Sequence, residues 1–270
     1  MRFTPLHSDF GVEVHDFDVQ AGGAAEDVAV LRSALDAHDM LLLRGAGRVS
    51  PERQTEITGW FGPPAPVDNA GDGQFVSVLD NAEEAGSFML PFHSDLTYTD
   101  CPIKVICLHA IALPERPTST SFVSNRAAWN RLSTADRARL APLHLRHLYV
   151  SSMPSLNMPD MAAIHPLAMP NPRTGAMLLV VTEHHADRIV ELPGDESRAL
   201  IDRLLADLYA PACQYEHVWR PDDLLIWDNL ALQHARRERS DPGAGKRALQ
   251  RVALAETGIM ELVARARAAA

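Results

Sequence analysis

The chain has 270 residues, of which 46% are hydrophobic and 22% charged. That balance belongs to a chain able to bury a sizeable core, and it excludes disordered and collagen-like classes. The formal net charge of −10 provides no basic footprint for nucleic acid.

No apolar run approaches the roughly 18 residues of a membrane span, and MRFTPLHSDFGVEV does not read as a signal peptide. Cys101, Cys107 and Cys213 are odd in number and lack C-x-x-C spacing, which argues against a disulfide framework or zinc ribbon. A single domain over 1–270 in the cytoplasm is expected, with no nucleic-acid or membrane partner.

In chain order, strand-like pieces broken by Gly11 occupy 3–19, and helical periodicity runs over 24–39. MLLLR (40–44) reads as a buried strand. Ser50 then caps a helix with Pro51 in its first turn, running to about Trp60. The stretch 63–90 reads as a Pro-, Gly- and Asp-rich loop around one strand, 75–80. A strand over 104–113 and helices over 125–133 and 134–143 follow, then an irregular Met- and Pro-rich segment, 153–172. Beyond it come a strand (176–182), an amphipathic helix (195–209) stopped by Pro211, and strands at 214–219, 223–229 and 248–255. The closing ARARAAA is expected to fray. Short strands separated by turns, with two helices early and most strands later, predict an α+β chain with a mainly β core: a jelly-roll double sheet with helices outside.

The chemistry concentrates in Pro91-Phe92-His93-Ser94-Asp95. On a strand, residues i and i+2 share a face, so His93 and Asp95 can reach one metal ion. His234, after an apolar strand and a polar turn, is the best third ligand. Two imidazoles and one carboxylate with open positions form the facial triad of non-haem Fe(II) oxygenases. Arg247 and Arg251 follow; on a strand they would share a face, and an Arg fork suits a carboxylate.

These motifs, in this order, resemble the TauD/TfdA family over roughly 3–256. Phe3-Thr4-Pro5-Leu6, the LLLRG run, Trp60-Phe61-Gly62, FHSDLTY (92–98), His165-Pro166 with Pro172-Arg173-Thr174-Gly175, WRPDDLLIWDNLALQH (219–234) and KRALQR (246–251) carry the resemblance. It implies a double-stranded β-helix and a 2-oxoglutarate-dependent non-haem iron dioxygenase using Fe(II), 2-oxoglutarate and O2. His93, Asp95 and His234 would ligate Fe(II). Thr120 and Arg247 would bind the distal carboxylate of 2-oxoglutarate, and Arg251 an anionic group of the substrate. The expected reaction oxidises a C–H bond of a small anionic or amino-acid-like substrate, releasing succinate and CO2; a homo-oligomer is the family expectation.

The departures are local. Pro63-Pro64-Ala65-Pro66 stands where taurine-like enzymes carry a substrate-binding His, Met89 replaces an Asn, and Pro117-Thr118-Ser119 replaces a Gly-Gly run. The metal and co-substrate parts are kept while the substrate pocket differs. Other histidines read as structural: His217 in a strand, His144 and His147 at a surface or core edge, His184 and His185 after a strand. Trp227 reads as core packing, and Arg236, Arg237 and Arg239 as a solvated charge run. Two alternatives stand beside the oxygenase: a non-catalytic ligand-binding protein on the same fold, and a zinc hydrolase using the same triad.

Overall fold

The computed structural model describes residues 1–67, 75–150, 158–239, 243 and 245–269. Strands β1 (Arg2–Pro5) and β2 (Val12–His15) lead to α1 (Ala25–His38), β3 (Met40–Leu43) and α2 (Pro51–Gly59). Next come β4 (Val76–Asp80), α3 (Glu84–Ser87), β5 (Leu90–His93), β6 (Val105–Ala112), β7 (Ser119–Ser124), α4 (Asn125–Arg131) and α5 (Thr134–Leu140). They are followed by β8 (His144–Tyr149), β9 (Met161–Pro166), β10 (Ala168–Pro170), β11 (Met177–Leu179), β12 (Ala186–Ile189) and α6 (Gly194–Leu208). The chain finishes with β13 (Tyr215–Val218), β14 (Leu224–Asp228), β15 (Leu232–Arg236), β16 (Ala248–Leu254) and α7 (Ile259–Ala269).

Seven strands form one sheet in the order β1-β2-β3-β14-β6-β16-β4, and four form a second, β13-β7-β15-β5. The central strand β14 is buried along its whole length, which is why its sequence is apolar from Leu224 to Trp227. Its alternate residues still separate by face. Leu225 and Trp227 join Met40, Leu42, Ile106, Leu108 and Leu249 in a core that also holds Phe122 and Leu232 of the second sheet. Leu224 and Ile226 pack the other way, with Leu31 and Leu35 of α1 and Ile57 of α2. The outer face of the four-stranded sheet (Phe92, Val123, Ala235) is covered by Trp129 of α4 and by Leu200, Ile201 and Leu204 of α6. The result is a double sheet wrapped by helices, as expected. The chemistry-bearing residues lie between the two sheets.

Local signals hold where the sequence carries them. The Ser50 side chain accepts from the Arg53 backbone N–H at the start of α2, and Gly11 has φ +80°, which suits glycine at that break. Three expectations are corrected. Within 153–172, the described part is not irregular: β9 pairs with β8 and β10 with β11, while 153–157 lie outside the described residues, as do 68–74 of the expected 63–90 loop. The closing ARARAAA is helical through Ala269, because Ala and Arg are strong helix formers and Leu262 and Val263 are buried in the core. His147 is not at a surface edge: it is fully buried on β8. Among the described residues, no helix is long and apolar enough to cross a membrane.

Candidate active site

His93 ends β5, and His234 lies directly opposite it on the antiparallel neighbour β15. Cross-strand partners have closely spaced Cβ atoms, so sheet pairing alone brings two imidazoles together; their ring centroids are 4.3 Å apart. Asp95 completes the set from a turn, not from the strand as the spacing suggested, because β5 stops at His93. Leu96, with φ 61°, turns the chain immediately after it. The Asp95 Oδ1 atom is 3.1 Å from His93 Nε2 and 3.6 Å from His234 Nε2. The three ligand atoms all lie within 4.8 Å of one another, and among the described residues this is the one His/Cys/Asp/Glu group that could hold a metal ion.

Several contacts prepare these atoms. His93 Nδ1 lies 2.8 Å from the Pro91 carbonyl oxygen. An N–H there donates to the carbonyl and leaves the Nε2 lone pair for a metal, since one ring nitrogen's bond sets the tautomer of the other. Burial, then the neighbouring His93, push His234 down to about 3, which keeps its imidazole neutral. Burial alone would raise Asp95; the His93 hydrogen bond and the charges of His234 and Arg251 outweigh it and hold the carboxyl well below its usual range. Arg251 Nη2 sits 2.7 Å from Asp95 Oδ2, so the carboxylate turns one oxygen to the histidines and the other to a guanidinium.

The backbone around Asp95 is pinned by Asn229, which the sequence reading quoted within a motif but gave no role. Its Oδ1 accepts from the Asp95 N–H at 2.9 Å, and its Nδ2 donates to the carbonyls of Asp95 and Ile103 at 3.2 and 2.8 Å. Trp227 is buried against the site as expected, with its ring 5.2 Å from His234.

Thr120 lies on β7 in phase with Phe122, and so on the inner face of the four-stranded sheet. Its hydroxyl oxygen accepts from Trp219 Nε1 at 3.0 Å. Arg247 immediately precedes β16, in phase with Leu249 and Arg251. It is 2% exposed, and its Nε and Nη1 are buried with no hydrogen-bond partner. Such orphaned donors are costly without an acceptor, and burial lowers the guanidinium to about 10. A carboxylate is the complement these atoms require, just as a divalent cation suits two Nε2 atoms and an ionised carboxylate.

Beside the triad opens a cavity of about 300 Å³, lined by His93, Asp95, Arg251, Arg236, Tyr98 and Tyr149, with further walls from Leu96, Met158 and Ile259. Tyr98 and Tyr149 stack at 4.8 Å. His184 and His185 also line this cavity without joining the ligand set. His217 is structural, buried with Nε2 3.3 Å from Asp223 Oδ2. The reading of Arg236 as a solvated charge is corrected: it is half-buried on β15 and faces the cavity, while Arg237 and Arg239 are exposed.

An inner-face triad of two imidazoles and one carboxylate has the composition of the non-haem Fe(II) centres, here set within a jelly-roll double sheet. Residues 2–253 match the family described as "Taurine catabolism dioxygenase TauD, TfdA family", and the chain belongs to it. Pentalenolactone F synthase of Streptomyces arenae is 27% identical, over 93% of this chain and 94% of that one. The (S)-phenoxypropionate/alpha-ketoglutarate-dioxygenase of Sphingobium herbicidovorans is 30% identical, over 85% and 87%. A taurine dioxygenase structure from Burkholderia xenovorans shares the fold, with a TM-score of 0.80 at 23% identity over 94% and 90% of the two chains. The protein is a 2-oxoglutarate-dependent dioxygenase, and enzymes of this family use Fe(II), 2-oxoglutarate and O2.

Proposed function

We propose that His93, Asp95 and His234 hold Fe(II), that Arg247 and Thr120 receive the distal carboxylate of 2-oxoglutarate, and that the adjoining cavity takes a small organic anion that is oxidised at a C–H bond. Bound there, Fe(II) with O2 supplies an oxidation coupled to conversion of 2-oxoglutarate into succinate and CO2. The observation that carries the reading is the convergence of the triad beside an Arg-lined cavity, with Arg247 buried and lacking acceptors for two of its nitrogens.

The chain's own residues do the preparatory work. Pro91 and Asn229 fix the directions of His93 and Asp95, and Trp227 packs against His234. Leu96, Ile103, Met158 and Ile259 make the cavity largely apolar. A substrate held there loses its water, so the guanidinium of Arg251, and any other charge on the wall, acts on it more strongly than in solution. The stacked Tyr98–Tyr149 pair offers a flat apolar wall. Relatives named for phenoxypropionate and 2,4-dichlorophenoxyacetate fit such a combination of anion and apolar body. Among the described lining residues, Asp95 is the sole carboxylate, and it is tied to Arg251. This disfavours the amino-acid-like half of the expectation, because an ammonium group would find no free carboxylate among these lining residues.

The test is O2-dependent formation of succinate from 2-oxoglutarate by Fe(II)-loaded protein, screened with aryloxy- and alkyl-carboxylates, with His93→Ala as the control. Succinate that tracks O2 consumption and vanishes in the variant supports the reading. Turnover of a substrate with Zn(II) and no O2 consumption refutes it in favour of a hydrolase. Fe(II) binding without any 2-oxoglutarate binding refutes the co-substrate assignment.

A further inference from the structure

A threonine hydroxyl carries one hydrogen and two lone pairs, and it rotates to whichever use its neighbours allow. An indole N–H can only donate. Trp219 Nε1 lies 3.0 Å from Thr120 Oγ1, so this contact occupies a lone pair of the threonine and leaves its hydrogen unspent. Thr58, Thr97 and Thr99, also buried, each give theirs to a backbone carbonyl, at 2.7, 3.2 and 2.8 Å. Among the described residues, no acceptor takes the hydrogen of Thr120, although the residue is buried.

Sheet pairing brings the two side chains together. His217 stands opposite Thr120 in the β13–β7 register. Trp219, two residues on, is the diagonal neighbour on the same face, a separation that an aromatic side chain can cross. Its backbone N–H donates to the Thr118 carbonyl at 3.0 Å. The His217 ring packs edge-on against the indole, with centroids 4.5 Å apart. His217 is itself seated against Asp223, Nε2 to Oδ2 at 3.3 Å, and Arg44 Nη1 holds the same oxygen at 2.8 Å. The indole is therefore braced in place. Toward the triad, Phe122 pairs directly with His234, and Thr120 lies two residues from Phe122 on the same face, a step of roughly 7 Å along the strand. That step is about the length of a short dicarboxylate. We infer that Trp219 is a positioning residue for 2-oxoglutarate, its indole N–H holding the Thr120 hydroxyl with the hydrogen turned to the co-substrate carboxylate, which rests on the reading of Thr120 given above. Trp219 acts through Thr120: a hydroxyl that already accepts a hydrogen bond is polarised to donate a stronger one.

The test is a double-mutant cycle, read by calorimetric titration of 2-oxoglutarate into full-length protein loaded with Mn(II). Thr120→Val should weaken 2-oxoglutarate about tenfold, the loss of one hydrogen bond to a carboxylate. Trp219→Phe keeps an aromatic ring and removes the N–H; it should weaken 2-oxoglutarate about fivefold, through a freed hydroxyl rotor and lost polarisation. In the Thr120→Val background, Trp219→Phe should add no further loss. A role in packing alone would lower the affinity equally in both backgrounds, and that result overturns the proposal. So does an affinity within about twofold of wild type for Trp219→Phe when Thr120→Val has lost its own. If Trp219→Phe does not fold, the indole N–H resonance that Thr120→Val displaces in Zn(II)-loaded protein decides. A shift of that resonance on adding 2-oxoglutarate, absent in Thr120→Val, sustains the proposal; no shift, or the same shift in both proteins, overturns it. Wild-type protein that binds no 2-oxoglutarate, or Thr120→Val protein that binds it as well as wild type does, overturns the Thr120 reading first and this proposal with it. Those results are distinct from a loss in Thr120→Val without a loss in Trp219→Phe, which overturns this proposal alone.

Discussion

Replacing Asn229 by Ala tests whether the aim of Asp95 is set by its backbone anchors. Asn229 is fully buried and ties three backbone groups together: Asp95 N–H, Asp95 C=O and Ile103 C=O. The Asp95 carbonyl keeps a second partner, because Ile103 N–H donates to it at 3.3 Å. Two groups are therefore orphaned, the Asp95 N–H and the Ile103 carbonyl, at roughly 1–3 kcal/mol each. Against this, Leu96 sits at φ 61°, and a non-glycine residue held in the left-handed region stores about 1–2 kcal/mol that a loosened loop can release. The net loss is about 3 kcal/mol, or a melting point lower by roughly 6–10 °C for a chain of this size. The second consequence is functional: with its carbonyl and amide loosened, Asp95 no longer presents Oδ1 to the histidines, and affinity for Mn(II) or Co(II) falls by about 10- to 100-fold. Denaturant unfolding of metal-free protein gives the first quantity and metal competition the second. Stability within about 1 kcal/mol of wild type together with unchanged metal affinity would show that the turn holds itself, and the reasoning would fail.

Arg251→Met removes the partner of Asp95 Oδ2. Both groups are about four-fifths shielded, so metal-free protein should lose roughly 2 kcal/mol by denaturant unfolding; equal midpoints for variant and wild type would deny the pair any role in the fold. His147 is fully buried with neither ring nitrogen bonded, its nearest aromatic partner His165 at 5.6 Å, and burial pushes it down to about 3. Its folded value lies below its unfolded one, so it contributes nothing above about pH 6.5 and stability is lost as pH falls from there toward 3, by up to about 4–5 kcal/mol. His147→Leu should therefore flatten part of the acid limb of a stability–pH curve while leaving neutral-pH stability equal or higher, and an acid limb as steep as wild type would count against a neutral buried His147.

What the sequence displays clearly is whatever a short window carries. MLLLR and DLLIWDN read as buried strands because both faces of β3 and β14 are covered, and Ser50-Pro51 reads as a helix start because the cap is local. The triad was legible as residue types, since H-x-D and a later His sit in ordered motifs. Its assembly was not, because the His234–His93 register is a pairing between strands far apart in sequence. Windows fail where polar residues serve the interior. In LQHAR, Gln233 faces outward yet is buried, bonding Asn125, Val181 and Tyr209, while His234 and Arg236 face inward. No apolar alternation survives, so Arg236 looked solvated. HLRHLY hides β8 in the same way: Arg146 pairs with Asp187, and His147 is buried without a hydrogen-bond partner.

The charge distribution explains why the interior arginines matter. A protein of net charge −10 repels a dianion at a distance, but that field decays within about 8 Å at physiological ionic strength. Recognition must then come from cations at contact range in a shielded space. Arg236, Arg247 and Arg251 lie on strands, or at the edge of one, that close the inner faces of two sheets, where water screens little. Their burial carries a cost, visible in Arg236 and Arg247, each held at about 10. Arg251 recovers its cost through Asp95 within the protein, whereas the buried Nε and Nη1 of Arg247 have no such internal partner. A guanidinium satisfied internally can position a ligand atom; one left unsatisfied is better arranged to draw in an anion from outside. On the function proposed above, that physical difference separates the two arginines, four residues apart on one face, into one that orients the Asp95 carboxylate and one that receives the co-substrate.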